Sequence, residues 1–175
     1  MRTHCMRGFA CAAVGQLALS LGRLDRMPIR PYRDTDWAAV RDIYDLAKPD
    51  EMRGVVDASV IPRLEVDPDA MALFHGSEIF VMERGKRIVG FGGSRGTFIT
   101  WLFVHPAYRR MGVAQALVRE MLTRLTGTIT LHVATTNVAA CNLYKRLGFT
   151  VEREFIGQFN GHACPVAKLR YEAAA

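Results

Sequence analysis

From Met27 onward the apolar residues fall into blocks whose period switches several times along the chain. Ile29-Arg30-Pro31-Tyr32 alternates and suits a short first edge strand, where a proline is tolerated. Asp34, Thr35 and Asp36 form an N-cap cluster, after which Trp37, Val40, Ile43, Tyr44, Leu46 and Ala47 recur at helical spacing. Lys48-Pro49-Asp50-Glu51 is expected to end that helix and open a loop. Further helix is expected as far as about His75, restarted by Asp67 as N-cap and Pro68 as first helical residue. Strands follow at 78–83 and 87–93 around an Arg84-Gly85-Lys86 turn, and a third runs over 98–104 to His105-Pro106. A helix starting near Gly112 carries Val113, Leu117, Val118, Met121, Leu122 and Leu125 on one stripe, with Gly127 as its stop. A strand at 128–134 precedes a helix at 137–147, which places Ala140, Leu143, Tyr144 and Leu147 on one face before Gly148. Residues 150–155 and 165–171 form a closing strand pair. This order predicts a mixed α/β or α+β domain built from consecutive hairpins rather than regular βαβ units.

Composition narrows the picture. At 175 residues the chain fits one domain with a core of its own, and half its residues are hydrophobic. Of the net charge of +6, residues 1–26 supply +3, from Arg2, Arg7, Arg23 and Arg26 against Asp25. No Lys/Arg run or basic stripe interleaved with aromatics follows, which argues against a nucleic-acid surface and leaves a mild attraction for anionic ligands. Cys5, Cys11, Cys141 and Cys164 have neither disulfide-framework nor zinc spacing, so a reducing compartment, the cytoplasm, is expected. Residues 1–26 read as an N-terminal extension: an upstream start ahead of Met27, a disordered tail or a weak leader. The stretch from Phe9 to Leu21, broken by Gln16 and Ser20, is too short and interrupted to span a bilayer. The working domain is expected over 27–175, with no membrane partner.

The main chemical signal is a strand, a short loop and a long amphipathic helix that begins within Arg109-Arg110-Met111-Gly112-Val113-Ala114. The first N–H groups of a helix lack internal partners and sit at its positive end, so they attract phosphate. Gly112 lets the backbone approach a pyrophosphate, Ala114 keeps the next position small, and Arg109 and Arg110 can add charge-assisted bonds. An ordinary basic helix start explains this segment equally well on its own. Gly90-Phe91-Gly92-Gly93 lacks the dinucleotide-binding spacing, because Arg95 stands at the third glycine position; it reads as a strand near a close backbone contact.

A second segment, Asn137-Val138-Ala139-Ala140-Cys141-Asn142-Leu143-Tyr144-Lys145-Arg146-Leu147-Gly148-Phe149, has the form N-x-x-A-x-x-L-Y-x-x-x-G-F. In their order and spacing the two segments resemble the GNAT superfamily of N-acetyltransferases, a likeness covering essentially all of residues 28–172. The resemblance implies a central mixed, mostly antiparallel, twisted sheet flanked by helices, in which the parallel strands 98–104 and 128–134 splay apart to admit acetyl-CoA. Residues Arg109, Arg110, Met111, Gly112, Val113 and Ala114 then correspond to the pyrophosphate loop. Leu102, Phe103 and Val104 correspond to the strand that binds the cofactor, with the Val104 backbone bonded to the pantetheine arm and the backbone N–H of Leu102 facing the thioester oxygen. Asn137 resembles a residue that bonds the pantetheine or orders the helix start, and Tyr144 the acid that protonates the departing thiolate. The implied reaction is direct attack of a primary amine, on a small molecule or a peptide, through a tetrahedral intermediate whose oxyanion meets a preformed donor.

Tyr144 also reads as a core tyrosine, and Asn137 as a plain helix cap. Some family members place a glutamate base at about the position of Phe98, but no acid occurs over 97–104. That departure keeps open a non-catalytic acyl-CoA-binding sensor. His105 reads as turn chemistry, His132 as a structural strand residue, and His75 and His162 as loop residues; none has metal-ligand spacing, and no metal is implied. Specificity is assigned to loops at 48–55 and 155–163, where Asp50, Glu51, Gln158, Asn160 and His162 either contact the amine or are solvated. The oligomeric state stays open between monomer and homodimer.

Overall fold

The computed structural model describes residues 27–173. The expectations for residues 1–26, Cys5 and Cys11 among them, lie outside the described residues. A seven-stranded sheet in the order β1-β2-β3-β4-β5-β7-β6 organises the chain. Its strands are β1 (Ile29–Pro31), β2 (Glu78–Arg84), β3 (Arg87–Arg95), β4 (Phe98–Val104), β5 (Thr128–Ala134), β6 (Thr150–Phe159) and β7 (His162–Glu172). Every neighbouring pair is antiparallel except β4 and β5. The helices α1 (Trp37–Glu51), α2 (Pro68–His75), α3 (Val113–Arg124) and α4 (Val138–Arg146) cover its two faces. The mixed α+β architecture expected from the order of elements is the one observed.

On one face, Val40, Ile43, Tyr44 and Ala47 of α1 and Phe74 of α2 pack on Val81, Phe91, Trp101 and Phe103. On the other, Val118 and Met121 of α3 and Tyr144 of α4 pack on Phe80, Ile99, Ile129, Leu131 and Val133. Ile99 and Trp101 are two residues apart in one strand and would share a face if β4 were regular. They do not, because the register slips where Gly93 pairs with Trp101 and Ser94 with Ile99, leaving Thr100 as an extra residue. This bulge re-aims the second half of β4. The glycines expected to mark a close approach do so: a Cβ on Gly90 would lie 2.8 Å from Val113 Cγ1 and 2.9 Å from the Phe103 carbonyl oxygen. α3 therefore sits low on β3.

Several boundaries differ from the sequence reading. α1 continues through Pro49 to Glu51, since a proline in the last turn forfeits one hydrogen bond while the helix still buries Ala47. α3 ends at Arg124, and Leu125 is already extended, ahead of Gly127. Residues 155–163 are not a loop but the end of the β6–β7 hairpin, whose tight turn holds Asn160 and Gly161 at positive φ. His75 accordingly closes α2, and His162 opens β7. Asp67 caps α2 as expected, accepting from the backbone N–H groups of Asp69 and Ala70.

Asp36 is 7% exposed and does not cap α1 with its side chain. It accepts from Arg30 Nη1 at 2.7 Å and Nη2 at 2.9 Å and from the Arg33 backbone N–H at 2.9 Å, tying β1 to the start of α1. The Arg30 guanidinium holds its carboxyl below the ordinary value of 3.8, so the ion pair stabilises the fold above that pH and the contribution fades as pH falls through the lowered value. Asp36→Ala is expected to cost ~2 kcal/mol near neutral pH, under the 3–5 kcal/mol of a fully buried pair because Arg30 keeps contact with water and with Glu83. Urea denaturation at pH 7 and pH 3 checks this: the gap between wild type and variant should shrink at the lower pH.

Candidate active site

The loop after β4 is built from local hydrogen bonds. The His105 backbone N–H donates to the Val89 carbonyl at 3.0 Å, and His105 Nδ1 accepts from the Ala107 N–H at 3.2 Å, starting a 3-10 turn over Pro106–Tyr108. Histidine here is turn chemistry. Arg110 and Gly112 then take positive φ, 62° and 83°, and Gly112 is the N-cap of α3. Glycine adopts that conformation without the steric cost an L side chain incurs. Having no side chain, Gly112 cannot cap the helix itself. The Ala116 N–H is bonded to the Gly112 carbonyl at 3.0 Å, so the N–H groups ahead of it in the first turn are those without a helical acceptor.

These donors open on a cleft of about 1040 Å³, a volume suited to a bound organic molecule. The cleft exists because β4 and β5 pair only at Phe98↔Thr130 and Ile99↔Leu131 and separate from the Thr100 bulge onward. The direction of the unpaired groups follows from strand alternation. Since the His105 N–H points to β3, the peptide groups of Phe103 and Trp101 do so too, and those of Leu102 and Val104 point to the side that β5 has vacated. Leu102 and Val104 thus present N–H and C=O groups to the cleft. Phe103 does not: its peptide is turned to β3 and its ring to α1, so it supplies a wall rather than a backbone contact.

Arg109, Arg110, Gly112, Val113 and Ala114 all line the cleft, as do Asn137 and Tyr144. Met111 is not part of the lining; its sulfur lies 3.7 Å from Arg84 Nη1, and its side chain joins the cluster beneath α3. Arg109 reaches to Asp50 at the end of α1, which also holds Arg53. The Arg109 guanidinium first of all keeps the Asp50 carboxyl below the usual carboxylate range. Asn137 Oδ1 accepts from the Ala140 N–H at 3.1 Å, so the cap role is realised while the residue stays on the cleft.

Tyr144 is 6% exposed, with its ring 5.4 Å from that of Phe149. Burial pushes its phenol well above the ordinary value of 10.0, and the Glu51 carboxylate and Cys141 add to the shift. Burial thus favours the protonated phenol. His132 also lines the cleft, with its ring between those of Phe98, at 5.1 Å, and Phe155, at 5.3 Å. Lys48 and Phe159 fall within the segments assigned to specificity without being named for it, and Tyr44 stands in the sequence only on the α1 stripe; all three line the cleft with Glu51. Their i, i+4 and i, i+3 spacing on α1 was legible, but the arrival of Phe159 from β6 was not. Among the described residues no group of three or more His, Cys, Asp or Glu is placed to hold a metal, and no helix is long and apolar enough to cross a membrane.

Comparison with known proteins agrees with this fold. In the human cysteine-rich protein 2-binding protein, a segment is 38% identical over 63 residues, spanning 35% of this chain and only 8% of that protein. The solved structure of a GCN5-related N-acetyltransferase from Rhodopseudomonas palustris superposes with a TM-score of 0.72 at 17% identity, over 85% of this chain and 96% of that one. That of yncA from Salmonella typhimurium, described as a putative acetyltransferase with its cofactor acetyl-CoA, gives 0.64 at 17% identity, over 85% and 95%. At these identities the two structures establish a shared fold. The sequence profile of the Acetyltransferase (GNAT) family matches residues 37–149, from the start of α1 to the residue before β6, and this chain belongs to that family.

Proposed function

We propose that this protein transfers the acetyl group of acetyl-CoA to a primary amine of a small molecule or peptide, within a single domain over 27–175 preceded by an N-terminal extension. The observation that carries the reading is the joining of two unpartnered backbone surfaces in one cleft: the edge of β4 at Leu102 and Val104, and the first turn of α3. The α3 end suits a pyrophosphate, with Arg109 and Arg110 beside it. The β4 edge suits the amide-bearing pantetheine arm, whose peptide-like groups can pair with Val104 as a missing strand would. The likeness to the acetyl-CoA-bound Salmonella structure supports the same choice of co-substrate.

With the thioester beside Leu102, its backbone N–H is the donor that meets the negative oxygen formed when the amine attacks the carbonyl carbon. Collapse breaks the C–S bond: the Tyr144 phenol gives its proton to the sulfur, and the surplus proton of the attacking nitrogen leaves through water and restores the phenol. A coupled thiol-release screen of acetyl-CoA against amines, polyamines, aminoglycosides, amino acids and peptides, alongside calorimetric titration with acetyl-CoA, tests the proposal. Binding without thiol release for any amine would favour an acyl-CoA sensor; no binding would end the reading.

The α3 start can be probed by itself. Gly112→Val places a branched side chain at φ 83°, at a strain of roughly 1–2 kcal/mol, and puts a side chain where the backbone meets the phosphates. Acetyl-CoA affinity is expected to fall at least ~10-fold by calorimetry, about 1.4 kcal/mol, while the protein stays folded. Unchanged affinity would move the pyrophosphate elsewhere.

A further inference from the structure

The cleft holds a cation already. Lys48, near the end of α1, has 13% of its side chain exposed, and its Nζ lies 3.0 Å from Glu51 Oε2. The same ammonium lies 5.0 Å from the ring centroid of Phe159, 5.8 Å from that of Tyr44 and 5.9 Å from that of Phe103. Three rings from three separate elements and one carboxylate surround it. Ring faces attract a cation, and the carboxylate adds a charge-assisted hydrogen bond. These are the parts with which a protein holds an alkyl ammonium ion.

A lysine laying its stem along an apolar helix face is commonplace, and such a lysine keeps its head in water. The Lys48 head instead lies over the cleft, among residues that all line it. The seat is close to the groups assigned to chemistry. Phe103 follows Leu102 in β4, and the field of Glu51 is felt at the Tyr144 phenol, the Tyr44 phenol and the Cys164 thiol. The Lys48 arm, four methylenes and an ammonium, therefore shows the shape of occupant that the seat accepts.

We propose that Tyr44, Phe103, Phe159 and Glu51 form the seat for the acceptor's ammonium group, that Lys48 fills it in the free protein, and that the acceptor is an unbranched alkyl primary amine. This rests on the acetyltransferase reading for the fate of the amine, but not for its binding. The incoming ammonium displaces Lys48, so the acceptor competes with the protein's own side chain.

Occupancy can be read without turnover. The lysines of the chain are Lys48, Lys86, Lys145 and Lys168, and in protein labelled with 13C at the lysine ε carbon the Lys48 protons stand apart through the ring currents around them. Their signal is assigned by its loss in Lys48→Met. Adding n-butylammonium should move the Lys48 signal to the position of the solvent-exposed lysines, whereas n-butanol should leave it in place. A signal that ignores n-butylammonium, or follows n-butanol equally, overturns the proposal. Repeating the titration with 1,4-diaminobutane and with Nα-acetyl-lysine amide shows whether a free diamine or a peptide lysine competes better.

In thiol-release assays Lys48→Met should lower the KM for n-butylamine by about tenfold if Lys48 fills the seat nine-tenths of the time. An unchanged or higher KM counts against the proposal. Acetyl-CoA binding measured on the same samples keeps the two ideas apart. Its absence would overturn the transferase reading while the Lys48 signal still reports on the seat.

Discussion

Tyr144→Phe is expected to lower kcat for thiol release by about 10²- to 10⁴-fold, the range for losing a positioned proton donor, with little change in acetyl-CoA affinity or melting temperature. The substitution removes one oxygen and keeps the ring that packs at 5.4 Å on Phe149 within the α4 side of the core. Loss of rate without loss of stability is what separates an acid from a core tyrosine. Because burial raises the Tyr144 phenol above 10.0, the group stays protonated through the neutral and mildly alkaline range. The wild-type rate should therefore show no decline from loss of this proton at pH 8–9, a range well below its titration. Steady-state rates across pH, with circular dichroism melts of both proteins, check the prediction. Equal rates would leave Tyr144 as packing alone.

The second large effect falls on stability. Phe91 is fully buried at the centre of the aromatic cluster beneath α1, stacked on Phe103 at 5.4 Å and tilted to Trp101 at 6.1 Å. Phe91→Ala removes a large side chain from a place where its neighbours are fixed by the sheet, and is expected to cost ~3–5 kcal/mol. For a domain of this size that lowers the melting temperature by roughly 6–20 °C. Urea denaturation measures it, with Phe91→Leu as the milder control at under ~1.5 kcal/mol. Since Phe91 supports Phe103, a wall of the cleft, the surviving folded fraction should also bind acetyl-CoA or amine less tightly. A loss of under ~1 kcal/mol would mean that the cluster closes over the gap.

Much of this architecture is written in local patterns. The strand-loop-helix at Gly112 and the segment from Asn137 to Phe149 each carry their own turn, cap and stripe residues, so their elements were legible one by one. Their identification as two parts of one family signature depended on order and spacing, which sequence also contains. The errors fall where a local rule met a tertiary gain. Pro49 predicts a stop, yet α1 runs past it and brings Lys48, Asp50 and Glu51 to the cleft on one helix end. Residues 155–163, expected as a specificity loop, are strand instead, because cross-strand pairing with β7 extends β6 to Phe159.

The sequence by itself determined the order of strands and helices, where glycine must stand at the start of α3, and which family the chain resembles. Those depend on hydrophobic period, cap chemistry and backbone sterics, all local in range. Only the tertiary structure decided that Thr100 bulges, that β4 leaves β5 at that point, and that the peptides of Leu102 and Val104 face the opening while that of Phe103 does not. Register is a property of two strands at once, and a slip of one residue reverses every side chain and peptide beyond it. The same holds for the seat around Lys48. Its rings come from α1, β4 and β6, which are distant in sequence and meet only when the sheet is complete.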